Sequence, residues 1–309
     1  MVPRVVAIFG PTASGKSVIA VALAQLIDGE VVSADSMQIY RGLERITNQP
    51  LLDERQGVPH HLVGHVDPHE AYDVARFGSE AHAAIDDIIA RGRTPIVAGG
   101  SGLYLRAALA EVSFPPQADE RDRERLLQHV EHVGAAAAHA ELALIDPTAA
   151  ARVAPTDVRR IVRALELAEL GESLAPAAGD QLWADSMRHP TRLFGLQIDR
   201  AELHRRINAR TPRLLDEGGI DEIRALLTDP RPLAHTAQRA HGLDDVRALD
   251  EGRISRAACE ERLSARTRQY AKRQDTWLRR LDHAEDVDAN HPPTIVAAMI
   301  AERLRDEPR

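Results

Sequence analysis

RVVAIFGPTASGKSVIAVALAQLI, residues 4–27, is the stretch on which the fold of this chain turns. Arg4–Gly10 is a short apolar run ending in glycine and predicts a strand, while Ser14–Ile27 has helical spacing with Ile19, Leu23 and Leu26 on one face. Between them, Gly10-Pro11-Thr12-Ala13-Ser14-Gly15-Lys16-Ser17 fits G-x-x-x-x-G-K-[ST] in the strand–loop–helix context that such a loop needs. Glycines let backbone N–H groups turn onto phosphate oxygens, and the helix N-terminus adds the positive end of its dipole. These residues are the expected phosphate cradle, with Lys16 as its mobile cation and the Ser17 hydroxyl within reach of a Mg²⁺. The bland alternative, an ordinary glycine-rich turn, gives no reason for the lysine.

Working outward, Glu30–Asp35 (EVVSAD) and Thr94–Gly100 (TPIVAGG) predict two more strands, and Asp73–Arg91 a helix with Phe77, Ala81, Ile85 and Ile89 four residues apart. Strands alternating with helices predict an α/β fold, a P-loop core with a mostly parallel sheet flanked by helices. After Pro115-Pro116 the character changes. Ala118–Ile145 and Thr156–Leu170 are helical patterns rich in Arg, Glu and Ala, and a looser stretch runs from Gly171 to Pro190, so 114–190 predicts an α-helical insertion domain. The strand signal returns at Arg192–Ile198 (RLFGLQI), before long helical patterns at Ala201–Leu227 and Ser255–Leu281. The core is then discontinuous, 1–113 and 191–281, and 282–309 reads as a polar tail with one helix at Thr294–Leu304.

With 309 residues and 44% apolar side chains, the chain can bury one large core or two smaller ones, which excludes a mainly disordered protein. No apolar run approaches the roughly 20 residues of a spanning helix, so a cytoplasmic protein with no membrane partner is expected. Cys259 is the single cysteine and reads as a small buried side chain. His60-His61 is rejected as a metal pair, because adjacent side chains diverge and no further ligand stands at zinc spacing.

A net charge of −8 argues against a protein that coats nucleic acid nonspecifically. The cations are nevertheless clustered: Arg253–Arg280 holds nine basic and three acidic residues, and Arg200–Arg213 holds five Arg against Glu202. Such stretches on an acidic chain predict a localised polyanion site. Of 39 basic residues only Lys16 and Lys272 are lysines, and both fall in segments with a candidate role.

A phosphate loop alone does not make a hydrolase. The strand at Thr94–Gly100 ends without the acid that usually holds Mg²⁺ and orients water, and the acid at a strand end is Asp35. Asp35 either serves a metal or is a base close to the phosphates; its structural alternative is a helix cap beside Ser36.

Several segments, in order, resemble the tRNA dimethylallyltransferase (tRNA isopentenyltransferase) family: GPTASGKS at 10–17, SADSMQIYRGLERITNQP at 33–50, GVPHHLVG at 57–64, PIVAGGSGLYLRAAL at 95–109, DVRRIVRALE at 157–166, LHRRINAR at 203–210 and TRQYAKRQDTWLRR at 267–280. The resemblance implies transfer of a dimethylallyl group from dimethylallyl diphosphate to the exocyclic amine of the adenosine 3′-adjacent to a tRNA anticodon, with Mg²⁺ as cofactor. It implies Asp35 as general base, with Lys16 and Ser101 also catalytic; Ser101 stands where the family usually has Thr. Arg206 and Arg210 are implied to join the loop in holding phosphate. Contacts to tRNA are implied for Asp35, Ser36, Met37, Gln38, Ser101, Arg160, Arg163, Lys272, Arg273, Trp277 and Arg279. Solvated helix faces are the ordinary explanation for the Arg pairs, and core packing for Trp277.

Two departures stand out. Arg159 replaces the Gln of a Gln-Arg-x-x-Arg pattern, and Gly242-Leu243-Asp244-Asp245 replaces Gly-Tyr-Lys/Arg-Glu, removing an aromatic and a cation expected near tRNA. A monomer binding the anticodon stem-loop is expected. The competing readings are an adenylate dimethylallyltransferase acting on free nucleotide, suggested by ITNQP at 46–50, and a P-loop kinase of a small metabolite, which would consume ATP. A purely RNA-binding protein leaves the phosphate loop and Asp35 without a use.

Overall fold

The computed structural model describes residues 5–112, 114–116, 118–174, 187–281 and 283–306. Six strands, β1 (Val5–Phe9), β2 (Gly29–Ser33), β3 (His60–His61), β4 (Thr94–Gly99), β5 (Thr191–Gln197) and β6 (Glu285–Asp288), form one sheet of order β3-β2-β4-β1-β5-β6. Every pairing is parallel, with Val6 opposite Ile96 and Arg192 on either side of β1. A parallel sheet must be covered on both faces, and β1 accordingly is apolar and buried at all its residues. The α/β class with a P-loop core therefore holds.

The chain divides into two compact units, Met1–Glu111 with Ser186–Arg309, and Val112–Asp185. In the first, α1 (Lys16–Ile27) lies on the sheet face formed by Val6, Ile8, Ile96 and Phe194. α2 (Val74–Ala90), capped by the Asp73 carboxylate accepting from Arg76 N, packs with α3 (Gly102–Leu109) and on β4. Two sequence expectations shift here. On α1 the buried set is Ile19, Ala20, Val21, Leu23 and Ala24 while Leu26 is half exposed, and on α2 the fourth core residue is Ile88, not Ile89. A repeat of 3.6 residues drifts off a strict four-residue spacing within three turns.

The second unit is helical: α4 (Glu120–Val133), α5 (Ala135–Ile145), the single turn α6 (Pro147–Ala150) and α7 (Val158–Glu169). Its core joins Leu126, Val130, Ala138, Leu142, Ile161 and Leu165. The pattern read as one helix over 118–145 breaks at Gly134, whose φ of 86° a side chain would strain. Residues 175–186, most of the looser stretch, lie outside the described residues.

Returning to the first unit, α8 (Arg200–Leu214) is capped by Asp199, and α9 (Ile220–Thr228) follows a wide turn at Leu215–Gly219. Gly218, with φ 115°, divides the expected Ala201–Leu227 helix there. α10 (Leu243–Asp250) and α11 (Arg256–Leu278) come next. The stretch from Asp282 is no tail. It supplies β6, which extends the sheet by pairing Leu196 with Val287, and α12 (Pro293–Arg305), whose Val296, Ala297 and Ile300 share a core with Ile19 and Leu23 of α1. Four-residue β6 is acidic at three positions, too short and too polar to be legible from its own sequence. Among the described residues no helix is long and apolar enough to cross a membrane.

The edge of the sheet is closed by charge. Glu30, 1% exposed, accepts from His61 Nε2 at 2.7 Å, from Arg91 Nη2 at 2.9 Å and from Arg93 Nη1 at 3.2 Å. His60 turns the other way, its Nδ1 against Val58 O at 2.9 Å, so the two rings serve separate structural bonds. The Arg91 hydrogen bond above all, then that of His61, pulls the Glu30 carboxyl down to about 2. Its contribution is therefore complete above the ordinary value of 4.5 and is lost as pH falls from there towards 2. Glu30→Ala is expected to cost about 1–3 kcal/mol at neutral pH, because three donors lose their acceptor but can reach water. Urea unfolding at a series of pH values checks this: the difference from wild type shrinks below pH 4.5, and a difference that stayed constant would contradict the assignment.

Candidate active site

The strand order places the carboxyl ends of β2, β4 and β1 side by side. Three loops consequently meet at one edge: Gly10–Ser17 after β1, Ala34–Gln38 after β2 and Gly100–Ser101 after β4. This is where parallel α/β sheets bind ligands, since connections diverge there and leave a crevice.

In the first loop, Ala13 takes φ 67° and Ser14 N donates to Pro11 O at 3.2 Å, a tight turn before the start of α1. Lys16 Nζ donates to Pro11 O at 2.8 Å and points back along the loop. Thr12 is held from outside the loop: its N–H donates to Gln274 Oε1 at 2.7 Å, and its hydroxyl accepts from Arg210 Nη2 at 2.9 Å. Thr12 is a phosphate-binding expectation whose N–H is thus already engaged.

Asp35 follows β2 directly and starts no helix; its Oδ1 accepts from Met37 N at 3.0 Å. Gln38 Nε2 donates to Asn48 O at 2.8 Å, tying the 46–48 loop to the same edge. Ser101 Oγ is the hub of a hydroxyl cluster, 3.2 Å from Ser36 Oγ and 3.1 Å from Tyr270 Oη, and it accepts from Ser36 N at 3.3 Å. A single hydroxyl network thus spans β2, β4 and α11.

A cleft of about 230 Å³ is lined by Lys16, Ser17, Asp35, Gln38, Arg206 and Arg210, among others. A narrower recess continues from it past Asp35 and Arg210 and is walled by Met37, Ile46, Leu214, Leu263, His241 and Tyr270. One end is cationic, the other largely apolar, and Asp35 lines both. Burial lowers Lys16 to about 8 against the pull of Asp35, and lowers Arg210 to about 10. Burial also lowers His241 and raises Tyr270, so both rings are neutral near pH 7. Two desolvated cations facing one carboxylate leave excess positive charge that an anionic ligand would balance.

The expected residues divide by place. Gly10–Ser17, Asp35–Gln38, Ser101, Arg206 and Arg210 lie at the carboxyl edge, although Arg206 Nε also donates to Glu202 at 2.7 Å. Lys272, Arg273 and Arg279 are exposed along α11, Arg273 resting over the Tyr270 ring at 5.7 Å. Trp277 is half buried, its ring filling the space beside Gly102, where a Cβ would lie 2.2 Å from Cε3. Arg160 and Arg163 belong to the helical unit. Arg160 is mostly exposed near Asp157, but Arg163 is bound to Glu166 at 3.1 Å and to the carbonyls of Pro115 and Pro116. Arg163 thus also braces its own unit, much as Arg206 is held by Glu202. Leu243 is buried at 3% exposure and Asp245 faces Arg266 Nε at 3.3 Å, so both are engaged within this fold.

Gln274, His241 and Leu214 were not among the expected site residues, and Tyr270, one of the aromatics of the 267–280 block that could stack a base, instead walls the recess. Tyr270 and Gln274 stand at i and i+4 on α11 and share a face, a spacing that pointed to them within a block read mainly for its charges. Nothing local marks His241 or Leu214; the fold alone brings them to Asp35.

Fold and site define a P-loop α/β protein with a cationic cleft at the carboxyl edge of its sheet. The sequence model for IPP transferase matches residues 38–281, and that for isopentenyl transferase matches residues 3–63. A tRNA dimethylallyltransferase of an Anaeromyxobacter species is 44% identical over 280 residues, 90% of this chain and 92% of that protein. The full-length tRNA isopentenylpyrophosphate transferase of Bacillus halodurans superposes with a TM-score of 0.69 at 34% identity, covering 98% of this chain and 97% of the other. A eukaryotic dimethylallyltransferase acting on tRNA gives 0.77 at 28% identity, covering 99% and 80%. The chain belongs to the IPP transferase family.

Because the charged form of Lys16 attracts anions, its contribution to binding inorganic diphosphate is expected to fade as pH rises through about 8. Calorimetry of wild type beside Lys16→Ala separates this from ionisation of the ligand. The affinity ratio should narrow on the alkaline side, and a ratio independent of pH would place Lys16 outside the cradle.

Proposed function

We propose that the chain transfers a dimethylallyl group from dimethylallyl diphosphate to the exocyclic amine of the adenosine 3′-adjacent to the anticodon in tRNA, releasing diphosphate. The observation that carries this reading is Asp35 at the junction of a cationic cleft and an apolar recess. Lys16, Arg210 and the N-terminus of α1 hold the diphosphate, and the recess takes the five-carbon chain. The amine nitrogen forms a bond to the allylic carbon as the carbon–oxygen bond breaks, its electron pair leaving with diphosphate. Asp35 accepts the amine proton. Lys16 and Arg210 act most strongly on the oxygen where charge develops.

Among the described residues no group of three or more His, Cys, Asp or Glu is placed to hold a metal ion. The Ser17 hydroxyl, lining the cleft with Asp35, suits Mg²⁺, which takes few protein ligands and completes its shell from phosphate and water. When bound there it supplies neutralising charge to the diphosphate. Ser101, hydrogen-bonded to Ser36 and Tyr270, keeps the β2 and β4 loops in register beside Asp35. The target adenosine must leave its stack to reach this edge, and Ser36, Met37 and Gln38 would border it. Exposed Lys272, Arg273 and Arg279, together with Arg160 of the helical unit, offer phosphate contacts to tRNA.

Incubation of the protein and Mg²⁺ with dimethylallyl diphosphate and either an anticodon stem-loop or AMP tests the reading. Prenylation of the stem-loop is expected; product on AMP alone would replace it with an adenylate dimethylallyltransferase. Asp35→Asn is expected to lower kcat by about 10²–10⁴-fold while stem-loop affinity, measured by titration, stays the same. Unchanged turnover would remove Asp35 from the base role.

A further inference from the structure

Gln274 is a polar side chain inside α11 with 2% exposure. It lines neither of the two recesses, yet both ends of its amide are engaged: Oε1 accepts from Thr12 N at 2.7 Å and Nε2 donates to Gly100 O at 2.9 Å. Thr12 lies in the loop after β1 and Gly100 in the turn after β4, so one planar group bridges both loops. Gly100 has no room for a side chain, since a Cβ there would lie 2.0 Å from Gln274 Nε2, and Gly102 is closed in the same way by Trp277. Those glycines admit α11 to the backbone and are not left open for a ligand.

We propose that Gln274 is a positioning residue that locks the phosphate loop to the β4–α3 turn, so that the diphosphate cradle exists before ligand arrives. The proposal rests on the diphosphate reading of the cleft. The chemistry explains why the residue is Gln. Only a neutral amide presents one acceptor and one donor in the same plane; a carboxylate would repel the Gly100 carbonyl, and an aliphatic side chain would leave both backbone groups unpaired. Tyr270, one turn earlier on the same face, extends the lock to Ser101 and through it to Ser36. Lys272 is exposed on the far side of α11 and Arg273 on its flank over the Tyr270 ring, with Arg279 and Arg280 exposed just past its C-terminus, so the helix that would meet RNA also sets the cradle.

The test uses the full chain with inorganic diphosphate and Mg²⁺ as the probe, and an anticodon stem-loop as the second ligand. Gln274→Met keeps the volume and loses both bonds; Gln274→Glu keeps only the bond from Thr12 N–H. Each is expected to weaken diphosphate binding and raise KM for dimethylallyl diphosphate by about ten-fold or more, with stem-loop affinity within about two-fold of wild type. A purely structural role would instead lower the folded fraction and leave both affinities of the folded molecules alone, and that result overturns the proposal, as does wild-type diphosphate affinity in both variants. Wild type that binds diphosphate but prenylates no stem-loop would sink the functional reading while the Gln274 measurement still stands.

Discussion

A parallel sheet has to be covered on both faces, and its strands all end on the same edge. Everything functional in this molecule follows from that constraint. β1 is buried throughout, so helices must lie above and below it, and each crossover returns the chain to the same direction. Because β4 returns between β2 and β1, loops from residues near 10, 35 and 100 become neighbours.

At that edge the chain tolerates an expensive arrangement. Lys16 and Arg210 are both desolvated, and Asp35 is the carboxylate common to their surroundings. In an ordinary core such a set would be replaced by apolar packing or balanced by a second acid. Its persistence beside a cleft is what distinguishes a ligand site from a structural ion pair. The contrast is Glu30, where three donors surround one buried acid, far from the cleft at the start of β2, and close the sheet edge. Both clusters draw on Arg, but Arg91 and Arg93 also meet Asp87 and Asp28, whereas Lys16 and Arg210 share Asp35.

α11 links the two halves of the chemistry. Its sequence reads first as a basic stripe with aromatics, and its exposed residues keep that character. The face turned inward is polar too, with Tyr270 and Gln274 satisfied by the loops after β1, β2 and β4 through direct bonds or through Ser101.

The sequence by itself determined the class of fold, the phosphate-loop motif and the family, because each rests on contiguous segments whose spacing carries the physics. Gly10–Ser17 needs no partner to be recognised as an anion cradle. Tertiary structure alone decided what depends on distant partners. The 282–309 stretch became β6 and α12 because an edge of the sheet and one side of α1 lay open to them. Arg163 became a brace, Leu243 a core residue, and Gln274 a bridge between loops separated from it by more than 170 positions. A side chain's chemistry is written locally, but burial and hydrogen-bond partners are properties of the packed chain, and these settle which of many Arg, Gln and Leu residues act.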